Sequence, residues 1–301
     1  YCSHSGDYSY KQQGMLIARS LSSSGKLWVG RSFAKKAATP AVMVNIHNTS
    51  ASEDIEKHHQ QKATKKLFNS KNYPGDPVNF QDVSLASYRI ASGLKRTHCD
   101  FSQFLSEICD CDVYLKKDFL QFTGSFKERG GRNALLLLSA AEKKEGVVTA
   151  SAGNHALALA FHGKDLGIPV TCIMPKSAPL AKVDKCRRFG ANVILHGEHI
   201  GEAKEYAQTN FQDIKYINGY DDPEIIAGAG SMGIEILDQI KDVDVVLVPI
   251  GGAGLIAGVS LAIKSINADV EVIGVEPGNV ASYAAAIEAG EPVNGFKTAT
   301  I

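Results

Sequence analysis

Short apolar stretches alternate along most of the chain with longer segments in which apolar residues recur at helical spacing. From about residue 80 this alternation predicts strands and helices in regular succession. Strands that alternate with helices are joined by crossover connections and form parallel sheets, so the predicted fold class is α/β. The predicted strands are 112–116, 147–150, 169–175, 192–197, 214–219, 243–250 and 270–277. The predicted helices are 84–94, 100–109, 126–144, a segment from 155, 179–189, a segment after 201, 223–240, a segment from 255, and 281–289.

The first 75 residues lack this periodicity. No acidic residue lies between Asp7 and Glu53, whereas lysine, arginine and serine are frequent there. Such a composition is typical of an organelle transit peptide or of a disordered basic tail. We therefore predict that residues 1–75 form a disordered or targeting extension, and that the protein is cytoplasmic or mitochondrial. Residues 76–143 and 223–301 are assigned to a large domain and 144–222 to a small one.

The composition narrows the class of protein. Hydrophobic residues make up 44% and charged residues 21% of the 301, which is typical of a globular protein. The 32 basic side chains balance 32 acidic ones, and this balance argues against nucleic-acid binding driven by bulk charge. Six dispersed cysteines without a C-x-x-C motif predict neither a disulfide scaffold nor a zinc site.

One charge-free stretch, 245–263, has the length of a membrane span. It contains Pro249 and three glycines within six residues. A strand, a tight loop and a buried helix explain this pattern better than a lipid-facing helix. No membrane partner is predicted.

The first candidate site is the loop 124–131. Ser125 and Glu128 have the spacing of a capping box, which would place Lys127 in the first turn of a helix. The positive end of the helix dipole disfavours an ammonium group there. A lysine of lowered pKa is suited to forming a Schiff base. The alternative is a solvated lysine on a well-capped surface helix.

The second candidate site is 151–155, directly after a predicted strand. Ser151 and Asn154 can act as helix caps, which is one interpretation. In the other, their side chains, the His155 imidazole and the N–H groups of the helix start converge on an anion such as a carboxylate. The small residues Ala152 and Gly153 would let a ligand approach the backbone.

The third candidate site is 249–255, between an apolar strand and an apolar helix. Successive glycines let N–H groups point into one cradle, and the helix dipole adds to its attraction for phosphate. A dinucleotide site is the alternative, since Gly252 and Gly254 precede Glu276 at the end of the next strand. Gly258 is one residue too late for that fingerprint, so a single phosphate group is the better match. Together the three loops describe a pyridoxal phosphate site.

The motifs QFTGSFKERG, TASAGNHA and VPIGGAGLIAG occur in this order, with DDPEIIAGAGSMGIEIL before the last. This arrangement resembles the serine/threonine dehydratases, or L-threonine ammonia-lyases, among the fold-type II pyridoxal phosphate enzymes. The resemblance covers about residues 80–301. It implies two open, twisted, mostly parallel sheets flanked by helices, with the large domain holding the cofactor.

The resemblance also implies roles for individual residues. Lys127 would carry pyridoxal 5'-phosphate, Phe126 would lie against its ring, and Asn154 would donate a hydrogen bond to the ring's 3-hydroxyl oxygen. Ser151, Asn154 and His155 would hold the substrate carboxylate. The backbone N–H groups of the third loop would hold the phosphate; these belong to Gly251, Gly252, Ala253, Gly254 and Leu255.

Further implications concern a metal and the end of the chain. Glu276 matches a divalent-cation ligand of some family members, but Ser282 stands where they have an aspartate, which speaks against a cation here. The family has further strands beyond residue 301, including a Ser, Thr or Cys that faces the pyridine nitrogen. We therefore expect the C-terminus to be truncated and a protein of residues 1–301 to be inactive or poorly soluble. A homo-oligomer is expected.

The activity implied is β-elimination of water from L-threonine or L-serine, an amino-acid substrate, giving 2-oxobutanoate or pyruvate and ammonia. The two substrates differ by one methyl group, and the sequence does not rank them. One alternative is serine racemase of the same fold, but the racemases that resemble this chain carry a serine in place of Ala152. Another is a non-enzymatic NAD-binding regulator.

Overall fold

The computed structural model describes residues 15–20, 78–278 and 281–293, the first range by its backbone alone. The described strands form two sheets. They are β1 (Met15–Ser20), β2 (Cys99–Phe101), β3 (Cys111–Lys116), β4 (Val147–Ala150), β5 (Val170–Met174), β6 (Asn192–Leu195), β7 (Lys215–Tyr216), β8 (Val245–Pro249) and β9 (Glu271–Val275).

Helices follow most of these strands, as the sequence predicts. The described α-helices are α1 (Phe80–Ile90), α2 (Gln103–Cys109), α3 (Lys127–Leu137), α4 (Ala140–Glu145), α5 (Asn154–Leu166), α6 (Leu180–Arg188), α7 (Ile200–Asn210), α8 (Pro223–Gln239), α9 (Gly254–Ile266) and α10 (Ser282–Ala289).

Three predicted helices differ from those observed. The helix predicted over 100–109 begins at Gln103, because Cys99–Phe101 pair with β3 as strand β2. The other two differ because of local capping. The single helix predicted over 126–144 is two helices, since Ser139 caps α4 and exchanges hydrogen bonds with Glu142. Helix α1 begins earlier than predicted because Asn79 forms the same kind of capping box with Asp82.

The small sheet has the order β6-β5-β4-β7, and all its pairings are parallel. Alternate residues of its strands point to opposite faces. Val147 and Cys172 pack toward α5 and α6, while Val148 and Ile173 pack toward Ala203 and other residues of α7. Both faces are therefore covered by helices, as expected for a parallel sheet.

The large sheet has the order β2-β3-β1-β8-β9. Its β8–β9 pairing is parallel, and its other pairings are antiparallel. Strand β1 lies between β3 and β8, although the sequence predicted no element there. The α/β class with two helix-flanked sheets is confirmed, with this antiparallel part added. The division into domains, with an extension over residues 1–75, stays a prediction; most of that extension lies outside the described residues.

The charge-free stretch 245–263 forms β8, a glycine-rich loop and most of α9, as predicted. Val246, Val259 and Ile263 lie in a hydrophobic core between these elements and α8. Among the described residues, no helix combines the length and the apolarity that crossing a bilayer would need.

Helices α3, α8 and α9 approach each other at glycines. A Cβ atom added to Gly130 would lie 2.7 Å from the carbonyl oxygen of Ile225, and one on Gly228 would lie 2.6 Å from that of Arg129. On the other side of α8, a Cβ atom on Gly230 would lie 2.8 Å from the oxygen of Gly258. Such distances leave no space for a side chain, so the three helices contact each other through their backbones.

Candidate active site

Lys127 is the first residue of α3 and is partly buried. Its Nζ donates a hydrogen bond to the carbonyl oxygen of Gly219 and lies 5.2 Å from the centre of the Phe126 ring. Burial lowers the pKa of Lys127 to about 8, because a charged ammonium is poorly solvated in this position. A larger fraction of neutral amine is therefore present near neutral pH than for an ordinary lysine.

The predicted capping box at Ser125 and Glu128 is wrong. The Ser125 hydroxyl accepts from the backbone N–H of Lys127 at 3.3 Å, but the Glu128 carboxylate turns away from Ser125. Glu128 is fully buried, accepts from the Thr123 hydroxyl at 2.8 Å and lies 3.2 Å from Nε2 of His162. The lowered pKa of Lys127 has burial as its cause, which the sequence did not reveal, and Lys127 lies in the first turn of α3 as predicted.

The second loop follows β4 and ends at α5. The Ser151 hydroxyl accepts from the N–H of Gly153 at 3.2 Å, and α5 begins at Asn154 without a side-chain cap. The Asn154 Oδ1 accepts instead from Nζ of Lys182 at 2.9 Å. The interpretation of Ser151 and Asn154 as caps of α5 is therefore not supported, and both side chains remain available to a ligand.

His155 is buried beside this loop. Burial, followed by the charge of Lys127, lowers its pKa to about 3, so the ring is neutral at physiological pH. Its Nε2 lies 3.3 Å from the carbonyl oxygen of Ile217, an acceptor, so this nitrogen carries the proton. The buried Nδ1 is then an acceptor and has no hydrogen-bond partner in the described part of the chain. A ligand donor can supply the missing bond.

The third loop joins β8 to α9. Ala253 has φ of 62°, and the N–H of Gly254 donates to the oxygen of Gly252 at 2.9 Å, which makes a tight turn. A Cβ atom on Gly252 would lie 2.7 Å from the Tyr220 Cβ, whereas one on Gly251 would meet nothing within 4 Å. The loop is therefore packed on one side and open at Gly251. Since the first N–H groups of a helix lack intrahelical acceptors, the start of α9 can bind an anion there.

The three loops meet at the segment 217–220, which the sequence analysis did not single out. Ile217 contacts His155, Gly219 accepts from Lys127, and Tyr220 packs on the glycine-rich loop. Asn218 turns the chain here by accepting from the N–H of Tyr220 at 3.2 Å. Its signal in the sequence was available: an Asn-Gly pair at the carboxyl end of the predicted strand 214–219, where ligands of α/β proteins bind.

Glu276, the predicted metal ligand, lies outside this group. Its carboxylate accepts from the N–H groups of Tyr283 and Ala284, each at 3.0 Å, at the start of α10. In the three described ranges, no three His, Cys, Asp or Glu side chains are grouped to hold a metal ion. The sequence spoke against a cation at Glu276, and that expectation stays a prediction.

These observations fit pyridoxal phosphate. The site offers an amine of lowered pKa, an open glycine-rich loop at a helix start, and a buried acceptor on His155 without a partner. Lys127 would hold the cofactor's carbonyl carbon, the third loop its phosphate, and Phe126 and Asn154 its ring. The fit of a dinucleotide is poorer, because Tyr220 packs directly against Gly252 and Gly254.

The lowered pKa of Lys127 can be measured on the cofactor-free protein. Reductive methylation requires the neutral amine, so we expect methylation of Lys127 to rise with pH through about 8, well below the ordinary lysine value of 10.5. Mass spectrometry of the peptides would follow Lys127 and the exposed Lys164 in the same samples. Equal pH dependence of the two lysines would contradict the burial argument.

The comparisons with known proteins agree with this geometry. The family model of pyridoxal-phosphate dependent enzymes matches residues 90–301. An L-threonine ammonia-lyase of Thermotoga maritima is 44% identical over 226 residues, which cover 73% of this chain and 56% of that relative. The chain thus spans little more than half the length of this curated relative.

Solved structures give the same result. The processed form of threonine deaminase isoform 2 from Solanum lycopersicum has a TM-score of 0.65 and 33% identity, covering 73% of this chain and 67% of that one. Maize serine racemase has a TM-score of 0.71 and 30% identity, covering 75% and 69%. These neighbours are fold-type II enzymes, and with the family model they show that the chain belongs to the family of pyridoxal-phosphate dependent enzymes.

Proposed function

We propose that the protein is an ammonia-lyase that converts L-threonine, L-serine or both to 2-oxobutanoate or pyruvate and ammonia by β-elimination. The observation that carries the proposal is the contact of the Lys127 amine with Gly219, where three loops of different chemistry meet. The name of the Thermotoga maritima relative supports the same reaction.

Lys127 has two tasks in this proposal. It would hold the cofactor covalently, and as a free amine it would remove the substrate's Cα proton. Bound pyridoxal phosphate supplies the electron sink that stabilises the negative charge left at Cα. A pKa of about 8 suits both tasks, because a general base works best when its pKa is near the working pH.

The remaining residues orient the two anionic groups. The N–H groups of Gly251, Gly252, Ala253 and Leu255 would hold the phosphate at the start of α9, whereas the N–H of Gly254 donates within the turn to Gly252. The Ser151 hydroxyl, the Asn154 amide and the backbone N–H groups at the start of α5 hold the substrate carboxylate. The His155 ring is a poor donor for a carboxylate, since its proton faces Ile217. We assign its backbone N–H to the carboxylate and its Nδ1 to a ligand donor.

The substrate loses its β-hydroxyl as water. The enamine that results is released, tautomerises and is hydrolysed to the 2-oxo acid and ammonia, so the nitrogen of the substrate leaves as ammonia. No external oxidant or reductant is needed. The test is to measure ammonia and 2-oxo acid release from L-serine, L-threonine and their D-isomers with the full-length protein. Absence of release from both L-isomers by a protein that binds the cofactor would contradict the proposal.

In this proposal, the residue at position 152 determines whether the protein can racemise serine as well as dehydrate it. Racemisation needs a proton donor on the cofactor face opposite Lys127, and the Ala152 methyl cannot transfer a proton. We expect Ala152→Ser to add serine racemisation without abolishing dehydration, measured by chiral chromatography. Ala152→Gly changes packing without adding a hydroxyl, so it should add no serine racemisation. If the unmodified protein already forms D-serine about as fast as pyruvate, the racemase alternative is correct.

A further inference from the structure

A second lysine contacts the site from helix α6, which packs on the small sheet. Lys182, near the start of α6, is half-buried, and its Nζ donates to Oδ1 of Asn154 at 2.9 Å. Asn154 begins α5, and its amide does not cap that helix. The oxygen of the Asn154 amide thus accepts a hydrogen bond from a charged group, and no backbone N–H at the start of α5 donates to the same oxygen.

This contact determines which end of the Asn154 amide faces the ligand. An ammonium group has donors and no acceptor, so the amide atom that faces Lys182 must be the oxygen. The amide NH2 group then points away from Lys182. In the described part of the chain it has no protein acceptor, so its two donors are available to an anionic ligand.

The surroundings of Lys182 leave its positive charge beside a neutral partner at this site. Burial first, and then the charge of Lys185, lower the pKa of Lys182, whereas Cys186 acts in the opposite direction, and the Lys182 Nζ donates to the neutral amide of Asn154. Some lysines of the described residues pair with carboxylates, such as Lys176, whose Nζ lies 3.0 Å from Glu198, and others donate to backbone carbonyls, such as Lys95 to Leu120. A half-buried ammonium whose protein partner is a neutral amide is balanced when an anion binds nearby.

We propose that Lys182 is a positioning residue that orients the Asn154 amide as a donor toward the anionic ligands of the site. The inference rests on the proposed function in that Asn154 contacts cofactor and substrate. Lys182 acts through Asn154: it fixes the amide orientation and places a positive charge behind it, while Lys127 does the covalent chemistry.

A double-mutant cycle tests the proposal with two readouts, cofactor dissociation constant and KM. Lys182→Met keeps the length of the side chain and removes the charge. We expect it to weaken pyridoxal phosphate binding to the cofactor-free protein and to raise KM for the amino acid, each by about tenfold to hundredfold, since a hydrogen bond to a charged group is lost. Lys182→Arg keeps a donor and should restore most of the binding.

The decisive comparison uses Asn154→Ala as the second background. If Lys182 acts through Asn154, Lys182→Met should change cofactor affinity little once the amide is absent. An equal loss in both backgrounds, or no loss in the parent protein, would overturn the proposal. Lys164→Met, which removes an exposed charge from α5, should leave affinity unchanged.

The cofactor readout separates this inference from the proposed reaction. If the protein binds pyridoxal phosphate and the cycle behaves as expected, but no 2-oxo acid is formed, then the proposed reaction fails and the role of Lys182 stands. If the lyase activity is present and the effects of the two substitutions are additive, then the proposed reaction stands and the role of Lys182 fails. Unfolding temperatures of all variants without cofactor show whether folding is intact.

Discussion

Lys127→Ala should reduce lyase turnover by a factor on the order of thousands or more, because the cofactor attachment and the base at Cα are lost together. The variant should also lose irreversible trapping of the cofactor by borohydride. Both effects follow from one amine, whose Nζ lies at the meeting point of the three loops. Turnover and trapping are measured on the purified protein.

The matched control is Lys164→Ala, which removes an exposed lysine from α5. It should keep turnover and trapping within about twofold of the parent, as surface substitutions rarely matter. Circular dichroism would show that both variants are folded. Turnover within about tenfold of the parent in Lys127→Ala would disprove the assignment of the catalytic lysine.

Arg129→Met should have the largest effect on stability. Arg129 is fully buried two residues after Lys127 and pairs with Asp118 through two hydrogen bonds, of 2.7 and 2.8 Å, and with Glu235 at 2.7 Å. Removing the guanidinium leaves the buried Asp118 carboxylate without its hydrogen-bonded cation, with Lys116 as the remaining positive charge nearby, which costs about 3–5 kcal/mol of the free energy of unfolding. Urea unfolding at pH 7 would measure the loss.

The pH dependence identifies the cause. In the parent protein, burial favours protonation of Asp118, but Arg129 outweighs it and holds the pKa of Asp118 below its ordinary value. Without Arg129, burial acts on Asp118 against Thr97 and Lys116 only, so its pKa rises relative to the parent and the folded variant takes up a proton more readily as pH falls from 7 to 5. Its stability deficit should therefore shrink over that range. A deficit that grows or is constant would point to a packing defect instead.

Two further variants complete this test. Arg96→Met breaks an exposed ion pair with Asp238 and should cost less than about 1 kcal/mol. If Arg129→Met is insoluble, the double variant with Asp118→Asn removes the unpaired charge and should recover soluble protein. Failure of both would mean that the network matters for reasons other than charge.

The sequence predicted the elements that local patterns specify. Strand β4 was predicted at its observed bounds, because four apolar or β-branched residues lie between Gly146 and Ser151. The three loops were found because glycine, serine and lysine follow strands, and the structure brings Lys127, His155 and the glycine-rich loop to one segment.

Long-range partners could not be predicted in this way. Glu128 had the spacing of a capping residue, yet its carboxylate binds Thr123 and lies beside His162 of another helix. Likewise, the pairing of β1 with β3 and β8 joins segments that are distant in the chain, and nothing in the local pattern specifies it. Such contacts depend on the assembled fold.

The glycine contacts between α3, α8 and α9 have a consequence for the accuracy of the site. Lys127 begins α3 and Gly254 begins α9, so the spacing from the Lys127 backbone to the glycine-rich loop is set across α8. Where Gly130, Gly228 and Gly230 meet their neighbours, backbone touches backbone, and no rotamer can lengthen or shorten that spacing. The separation of the three helices is therefore fixed by the radii of the backbone atoms in contact. The distance that a cofactor must span between its bond to Lys127 and its phosphate would then change little if the surrounding core were repacked.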